Sequence, residues 1–441
     1  MMFSAGEINE LSEHRLVIEC FKITVFRHTS EKGVSFSGPG QIYFDDSKSL
    51  RVKIFDADKP LDNWALLGIA VALGQKKEVT ESDLYEIHAT DSSGNQWVAE
   101  NVYILPFVRS SAQGTVIDAP INSIKSIRDQ QQDTGLNFFD IMIPGKFKIP
   151  FNGYTTYIEN QVKLDKLEFS RGDLRATIRC SNNHMGIELE RAGGENQYGF
   201  MVSFLEAMAI ATGIETFPAY YRLATSSSLT SFISSGSSYN ESSKHAVAPI
   251  VELRPGTHDT FIDFLTCYIK ERTFQHNNMI HYWRRLYHVP KPINEVAALV
   301  LSVNIEGMLK DYFTPTEQKP LETTLLIEES RLKLKTANFD DRISSRLNSL
   351  IGNYGKPSAR QSLKILVSEG KILEEHMQSW TRLRNALAHA DSSQNDELSR
   401  RKMRRDIQVC FDLFCKLICL CICYSGPVID HISTHDDDSD Y

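Results

Sequence analysis

The segment from Ser379 to Asp391 holds the residue types best suited to chemistry on a phosphate. It reads SWTRLRNALAHAD and places Arg382, Arg384, Asn385 and His389 within about two turns of a predicted helix. A guanidinium stays positively charged at any physiological pH, whereas an imidazole gains and loses a proton near neutrality. Together the two groups could stabilise a phosphate and carry a proton during phosphodiester chemistry.

Helical spacing decides which of these side chains can meet. Asn385 and His389 are four residues apart and share a face, as do Arg382 and His389 at seven. Arg384 and His389 are five apart, which corresponds to about 140° on an ideal helix. They converge only if the helix frays or if a second subunit completes the site. The alternative interpretation is a histidine that caps a helix C-terminus beside solvated arginines.

A second cluster, of cysteines, could in principle bind a metal. Cys415, Cys419 and Cys423 recur every four residues and so line one helical stripe. Structural zinc sites use paired ligands from two elements, so the stripe favours core or dimer-interface packing. P-loop, dinucleotide-binding, HExxH and nucleophile-elbow motifs are missing from the sequence. We therefore predict no metal site and no cofactor.

The charge distribution points to the C-terminal half as the region that would meet a polyanion. The 441 residues include 48 Lys and Arg and 56 Asp and Glu, which gives a net charge of −8. The chain as a whole is therefore not a basic protein that covers nucleic acid. Within it lies a basic run formed by Arg400, Arg401, Lys402, Arg404 and Arg405. We interpret this run either as an electrostatic track for RNA or as a solvated helix face.

The first 180 residues contain short runs of alternating apolar and polar side chains, which are typical of β-strands. Examples are VIECFKITVF from Val17 to Phe26 and LRVKIF from Leu50 to Phe55. Glycines in Ser37–Gly40 and Ser92–Asn95 predict turns. Several short strands at this spacing predict an antiparallel sandwich or an open barrel.

Two further segments complete this region. Asn196–Gly213 is predicted to be a helix, because its apolar residues share a face and a glycine ends it. Ten of the nineteen residues from Thr225 to Ser243 are serine, which predicts a flexible loop or linker.

From about residue 257 the apolar period becomes that of helices. The predicted helices are Asp259–Tyr287, Ile293–Phe313, Leu321–Thr336, Phe339–Ile351, Ser358–Ser368, Lys371–His389 and Asp396–Tyr424. Short connections predict an antiparallel bundle. The expected fold class is α+β, with a β-rich domain over residues 1–250, an all-α domain over 257–427 and an acidic tail over 428–441.

The sequence also bears on location. The N-terminus lacks a secretory signal pattern, and the apolar stretch from Val409 to Tyr424 is shorter than the ~20 residues that cross a bilayer. Crowded free cysteines fit a reducing compartment. We expect a cytoplasmic protein that does not contact a membrane.

Arg384-Asn-Ala-Leu-Ala-His389 resembles the R-x4–6-H motif of HEPN-domain ribonucleases. In that family the motif lies near the end of a helix that precedes the last long helix. Val303–Leu309 is similar to the early HEPN helix that carries an inward acidic residue. Phe36–Ile42 and the Tyr424–Pro427 ending resemble ApeA-type anti-phage proteins of this family.

The resemblance implies a metal-independent endoribonuclease that forms a homodimer or higher homo-oligomer and serves as a toxin-like effector in anti-phage defence. It implies that His389 is the general acid/base, that Arg384 binds the scissile phosphate and that Asn385 orients the pair. Glu306 is expected to pair with Arg384, or alternatively to be a surface glutamate. Arg382 also meets the motif spacing, so the choice between the two arginines stays open here. RNA, with tRNA as a candidate, is the expected partner, together with a phage-derived trigger.

Two other classes of function fit the same sequence. The helical domain could be a non-catalytic HEPN-like module that dimerises and binds RNA or a protein. Alternatively, the β-rich domain could recognise a phage protein or a carbohydrate, with the helices as a scaffold.

Overall fold

The computed structural model divides the chain into two compact units, Met1–Thr273 and Phe274–Tyr441. It describes residues 5–27, 36–56, 84–104, 107–111, 114–129, 136–158, 161–193, 196–235, 247–274, 278–289, 295–314, 321–337, 339–353, 358–388 and 397–432. The first unit contains a large antiparallel sheet and the second is helical, so the expected α+β class is confirmed.

Fifteen strands form the sheet of the first unit. They are β1 Val17–Arg27, β2 Phe36–Phe44, β3 Leu50–Asp56, β4 Tyr85–Asp91, β5 Gln96–Val102, β6 Val108–Ser111, β7 Gly114–Pro120, β8 Ser123–Asp129, β9 Leu136–Pro144, β10 Gly153–Ile158, β11 Gln161–Arg171, β12 Leu174–Cys180, β13 His184–Ala192, β14 Tyr220–Ala224 and β15 Ser228–Ser234. Their order is β10-β11-β12-β13-β9-β14-β15-β8-β5-β4-β1-β2-β3-β7-β6. Every described pairing is antiparallel, as predicted.

The sheet consists of an eight-stranded and a seven-stranded part that meet where β5 lies beside β8. Within the described strands a single residue pair, Val98 and Lys125, joins the two parts. Side chains alternate between buried and accessible along strands such as β4 and β12, which is the period of two that the sequence showed. The strands thus form one continuous sheet that ends at β10 and β6.

The predicted turn at Ser37–Gly40 is wrong, because this segment lies inside β2. Pro39 is tolerated there because the β1–β2 register shifts between Cys20 and Ile23, opposite the proline. Gly40 is needed because a Cβ would lie 2.0 Å from the carbonyl oxygen of Lys53 on β3. The other predicted turn is confirmed: Gly94 connects β4 to β5 with a φ of 82°.

The serine-rich segment is only partly a loop. Its first half contains strand β15, in which Leu229, Phe232 and Ile233 supply the β propensity that its serines lack. The prediction of a flexible loop is therefore wrong for Ser228–Ser234, while residues 236–246 lie outside the described residues.

Helix α1, Ala5–Ser12, precedes the sheet, and α2, Gln197–Thr212, confirms the predicted helix between strands. Almost all of α2 is buried, including the carboxylate of Glu206. That carboxylate accepts hydrogen bonds from Tyr268 (3.1 Å) and from Arg272 Nε (3.0 Å) of α3, His258–Phe274. The sequence assigned α3 to the helical domain, but this buried ion pair holds it in the first unit.

The described residues of the second unit form seven further helices. They are α4 Met279–Tyr287, α5 Glu295–Tyr312, α6 Leu321–Thr336, α7 Asp341–Asn353, α8 Ala359–Ser368, α9 Glu374–Ala388 and α10 Glu397–Cys421. The single helix predicted over Asp259–Tyr287 is wrong, because α3 ends at Phe274 and α4 begins at Met279. The other predicted helices agree with the structure to within a few residues.

Two members of the predicted cysteine stripe, Cys415 and Cys419, pack into the core of the second unit, whereas Cys423 is exposed and lies beyond the end of the last helix. Cys410, Cys415 and Cys419 are buried on α10, and burial raises the pKa of the Cys410 thiol. No group of three metal-ligating side chains occurs among the described residues. Within the same residues, no helix is both long enough and apolar enough to span a bilayer.

Candidate functional site

Arg384 on α9 and Glu306 on α5 form the ion pair that the sequence suggested. Arg384 Nε donates to Glu306 Oε2 at 2.9 Å, and Arg384 Nη2 lies 3.4 Å from Oε1. The arginine side chain is half exposed, at 51%, whereas that of Glu306 is 23% exposed. Of the five N–H donors of a guanidinium, two thus face the carboxylate and the rest can reach a ligand.

Glu306 also binds Lys310, one helical turn further along α5, at 2.7 Å. Burial favours a higher pKa for the Glu306 carboxyl, but the hydrogen bonds from Lys310 and Arg384 outweigh burial and lower the pKa. The carboxylate therefore remains ionised at neutral pH and fixes two cations on one side of α5.

The ring of Trp380 packs against the guanidinium of Arg384. It lies one turn before Arg384 on α9, and the Arg384 Cζ atom sits 5.7 Å from the centroid of its ring. The indole is buried and donates a hydrogen bond of 3.2 Å to the carbonyl oxygen of Ser302 on α5. The position of Arg384 is thus set by a buried platform as well as by Glu306.

A cavity of about 240 Å³ opens beside this pair. Lys310, Arg384 and Arg360 contribute positive charge to its lining, and Glu306 contributes the negative charge. Arg360 is exposed and has no ion-pair partner within the described part of the chain. It lies in the first turn of α8, where Ser358 and Gln361 form a capping box. Three cations against one carboxylate make this an anion-accepting cavity.

Arg382 has a different environment from Arg384. Its Nε atom lies 3.1 Å and 3.2 Å from the two carboxylate oxygens of Asp406 on α10, and its Nη2 atom donates to Ser379. The hydrogen bond that this guanidinium donates to Asp406 raises its pKa. The buried Asp406 carboxylate thus binds Arg382 through both of its oxygens and links α9 to α10.

Asn385 lines the Arg384 cavity and also a second cavity of about 370 Å³. The second cavity is bounded by Arg382, Asp406 and Lys402. His389 lies outside the described residues, one position beyond the end of α9 at Ala388. The structure therefore brings together Arg384, Asn385 and Glu306 and leaves the predicted proximity of Arg384 and His389 a prediction.

The basic run occupies the first half of α10 and is exposed throughout. Arg401 pairs with Glu397 at 3.3 Å and Arg405 with Glu375 at 3.2 Å, so acidic neighbours partly compensate these two charges. Lys402 and Arg404 have no ion-pair partner within the described part of the chain. These two side chains are the strongest candidates for phosphate contacts in the run.

Sequence reasoning missed Lys310, Trp380 and Arg360. The first two carry a recognisable signal, because each lies four residues from a predicted site residue on the same helix. Arg360 carries none, since α8 reaches the cavity only through tertiary packing.

Sequence reasoning also missed a buried polar link behind the site. His376 on α9 accepts a hydrogen bond from the backbone N–H of Leu373 at Nδ1, which leaves Nε2–H to donate to Asp412 Oδ2 on α10 at 2.9 Å. Lys416 lies 2.7 Å from the same oxygen. His376 and Asp412 are almost fully buried, so this link fixes the packing of α9, which carries Arg384, against α10.

We expect Asp412→Asn to destabilise the protein and to flatten its acid-side pH dependence. Burial favours a higher Asp412 pKa, but the hydrogen bonds from His376 and Lys416 outweigh it and lower the pKa. A lowered folded-state pKa contributes stability above the unfolded value of about 3.9, and this stability is lost as the pH falls towards the folded value. The expected loss at pH 7 is about 2 kcal/mol in the free energy of unfolding.

Urea unfolding at pH 7, 5, 4 and 3 measures both effects, with the exposed Asp341→Asn on α7 as the control. The difference between wild type and Asp412→Asn should shrink below pH 4. A difference that is constant across this range would contradict the assigned role of the carboxylate.

No protein-family model, no curated protein and no solved structure matches this chain.

Proposed function

We propose that this protein is a metal-independent endoribonuclease of the HEPN type. The observation that carries the proposal is the placement of Arg384: an ion pair with Glu306 and a buried indole hold it at the edge of a cationic cavity. A fixed guanidinium with free N–H donors is suited to bind a phosphodiester and to stabilise the extra charge of its transition state.

In the proposed reaction the ribose 2′-oxygen attacks the adjacent phosphorus. His389 takes the 2′-hydroxyl proton, the new O2′–P bond forms and the P–O5′ bond breaks. A proton then goes to the departing 5′-oxygen, for which an imidazole that titrates near pH 7 is suited. Arg384 holds the non-bridging phosphate oxygens, and Asn385, between two cavities, orients the substrate. The products are a 2′,3′-cyclic phosphate and a 5′-hydroxyl.

The exposed basic run on α10 supports RNA as the substrate. Lys402 lines the cavity that Asn385 shares, so a strand passing along α10 would lead to the reacting phosphate. Most of the affinity of such a contact is electrostatic and independent of base sequence. Arg400, Arg401, Lys402, Arg404 and Arg405 are therefore assigned to RNA binding and tRNA remains a candidate substrate.

The cellular role that we propose is a toxin-like effector in anti-phage defence, in the cytoplasm and as a homo-oligomer. This role comes from the family resemblance, and the β-rich unit would then receive a phage-derived trigger. Expression of the wild-type chain should stop bacterial growth, and His389→Ala should restore it. Equal growth arrest by both chains would contradict an effector role through RNA cleavage.

A second candidate is an RNA-binding module without catalysis. It is favoured by the fact that Arg384, Lys310 and Arg360 line a cationic cavity whose described lining does not depend on His389. This candidate predicts RNA binding by the purified protein with no cleavage. Incubation of the protein with tRNA and total RNA in EDTA, followed by electrophoresis, separates the two.

Glu306→Gln should lower the cleavage rate by about tenfold through misplacement of Arg384. The amide keeps the size of the side chain but loses the charge that binds Arg384 and Lys310, and a hydrogen bond to a charged group contributes about 1.5–3 kcal/mol. Because Glu306 acts through Arg384, the effect should fall mainly on kcat, with a smaller change in KM. An unchanged kcat would show that Glu306 does not position the arginine.

Lys402→Ala with Arg404→Ala should weaken RNA binding and reduce its salt dependence. Each lost phosphate contact removes about 0.7 from the slope of log K against log salt for a single strand. The double variant should therefore lower the slope by about 1.4, measured by fluorescence anisotropy between 50 and 300 mM salt. Arg342→Ala with Arg346→Ala on α7 is the control, since these two exposed arginines lie outside the run.

A further inference from the structure

The first unit contains a basic cavity of about 600 Å³ that the proposed ribonuclease activity does not use. Four separate segments form it: the turn after α1, the β2–β3 turn, the end of β9 and the β12–β13 turn. They contribute Arg15, His14, Lys48, Lys146, Asn182 and Asn183 to its lining. This volume lies in the range of small-molecule sites in proteins.

The turn after α1 places a histidine where helices commonly have glycine. His14 adopts a φ of 56°, His14 N–H donates to Leu11 O at 3.0 Å and Arg15 N–H donates to Glu10 O at 2.7 Å. This hydrogen-bond pattern is the Schellman motif, whose left-handed residue is usually glycine. The His14 ring packs edge-on against Phe44 at 5.2 Å, so its position is fixed.

The β2–β3 turn also has a basic residue at a left-handed position that glycine usually occupies. Lys48 adopts a φ of 64°, and its N–H donates to Asp45 O at 2.8 Å. A lysine in this conformation is strained in a way that glycine would not be. Two basic side chains thus occupy left-handed positions on two turns of one cavity, an arrangement that a folding requirement alone does not explain.

The charges of the lining do not cancel. Glu13 is its only carboxylate and pairs with Arg15. Lys48 and Lys146 have no ion-pair partner within the described part of the chain. Burial, and then the nearby charge of Lys48, lower the pKa of the His14 imidazole. The lining therefore carries a net positive charge, which an anion would compensate.

We propose that this cavity binds a phosphate-bearing small molecule of about mononucleotide size, with Lys48, Lys146 and Arg15 around the phosphate. A phosphate presents oxygens in several directions and so suits cations that arrive from separate segments. The amide side chains of Asn182 and Asn183 offer donors and acceptors to the rest of the ligand. The site is independent of the ribonuclease proposal.

Isothermal titration of the full-length protein with AMP, ATP and inorganic phosphate tests this site. Lys48→Ala with Lys146→Ala should weaken binding at least about tenfold, since hydrogen bonds to charged groups are lost. Lys148→Ala, an exposed lysine outside the lining, is the matched control and should bind as wild type does. The same titrations are repeated in an Arg384→Ala background, which removes a cation from the Arg384 cavity, and the loss caused by the two lysine substitutions should be the same there.

Lys48→Gly distinguishes a ligand-binding role from a structural one. Glycine suits the φ of 64°, so the melting temperature should stay the same or rise while the affinity falls. If AMP binds more tightly than inorganic phosphate, the ligand is a nucleotide. If the two bind with equal affinity, the ligand is the free phosphate anion. Binding that survives in the double lysine variant in the Arg384→Ala background, or that Lys148→Ala weakens equally, would overturn the proposal. So would failure to bind any of the three probes, or binding of single-stranded RNA alone.

Discussion

Arg384→Ala is expected to reduce RNA cleavage by about 10²–10³-fold while the protein stays folded. This is the range found when one preorganised donor to a developing charge is removed. The Arg384 side chain is half exposed, and Glu306 still has its ion pair with Lys310 when Arg384 is removed. The substitution should therefore change the stability of the fold little. Single-turnover cleavage of a defined RNA measures the loss, and circular dichroism confirms the fold.

Three further variants test whether the loss of cleavage is specific to Arg384. Arg384→Lys keeps the charge but loses the planar fork that binds both Glu306 and a phosphate, so we expect it to stay well below wild type. Arg346→Ala, which removes an exposed arginine from α7, is the matched control and should cleave normally. Arg382→Ala should mainly reduce stability, because its guanidinium is bound to Asp406. Full activity of Arg384→Ala together with inactive, folded Arg382→Ala would assign the motif to the other arginine.

His389→Ala is expected to reduce cleavage by about 10²–10⁴-fold, the usual contribution of a positioned general acid or base. RNA binding should change little, because the cations proposed to contact phosphate lie on α5, α8, α9 and α10. The loss should therefore appear in kcat. Fluorescence anisotropy for binding and gel-based cleavage for rate separate the two quantities.

The pH profile distinguishes a proton carrier from a structural histidine. Wild type should show a rate that depends on pH between about 5 and 8, where an imidazole titrates. The residual activity of His389→Ala should lose that dependence. A variant that binds RNA, cleaves it at the wild-type rate and keeps the wild-type pH profile would remove His389 from the mechanism.

The elements that sequence predicted well are those set by local periodicity. Helices α5 to α10 follow from apolar spacing and from caps such as Ser358. The pairing of Glu306 with Arg384 was one of two alternatives, and it came from the resemblance of Val303–Leu309 to a HEPN helix that carries an inward acidic residue. Both signals are carried by residue types, so they could be found without coordinates.

The errors arose where tertiary structure overrides a local signal. Gly and Pro at Ser37–Gly40 indicate a turn, yet a register shift and a close strand approach place them inside β2. The helix α3 carries an ordinary amphipathic pattern, and only the buried Glu206 shows which unit it joins. The link from His376 to Asp412 spans 36 residues between two helices and has no sequence signature.

The cationic cavity beside Arg384 likewise combines residues that the sequence indicates with one that only the fold reveals. Arg384 follows from the motif resemblance and Lys310 lies one helical turn from Glu306, but Arg360 enters through the packing of α8, which the sequence does not encode in any short motif. A sequence motif can thus nominate the reacting groups, whereas the surrounding charge that makes the site accept an anion requires the fold.

End-group analysis of RNA cleaved in the presence of EDTA tests the central claim most directly. Wild-type protein should produce fragments with a 2′,3′-cyclic phosphate and a 5′-hydroxyl, and both Arg384→Ala and His389→Ala should fail to produce them. Fragments with a 5′-phosphate, or the same cyclic ends at equal yield from both variants, would contradict cleavage by this arginine and this histidine.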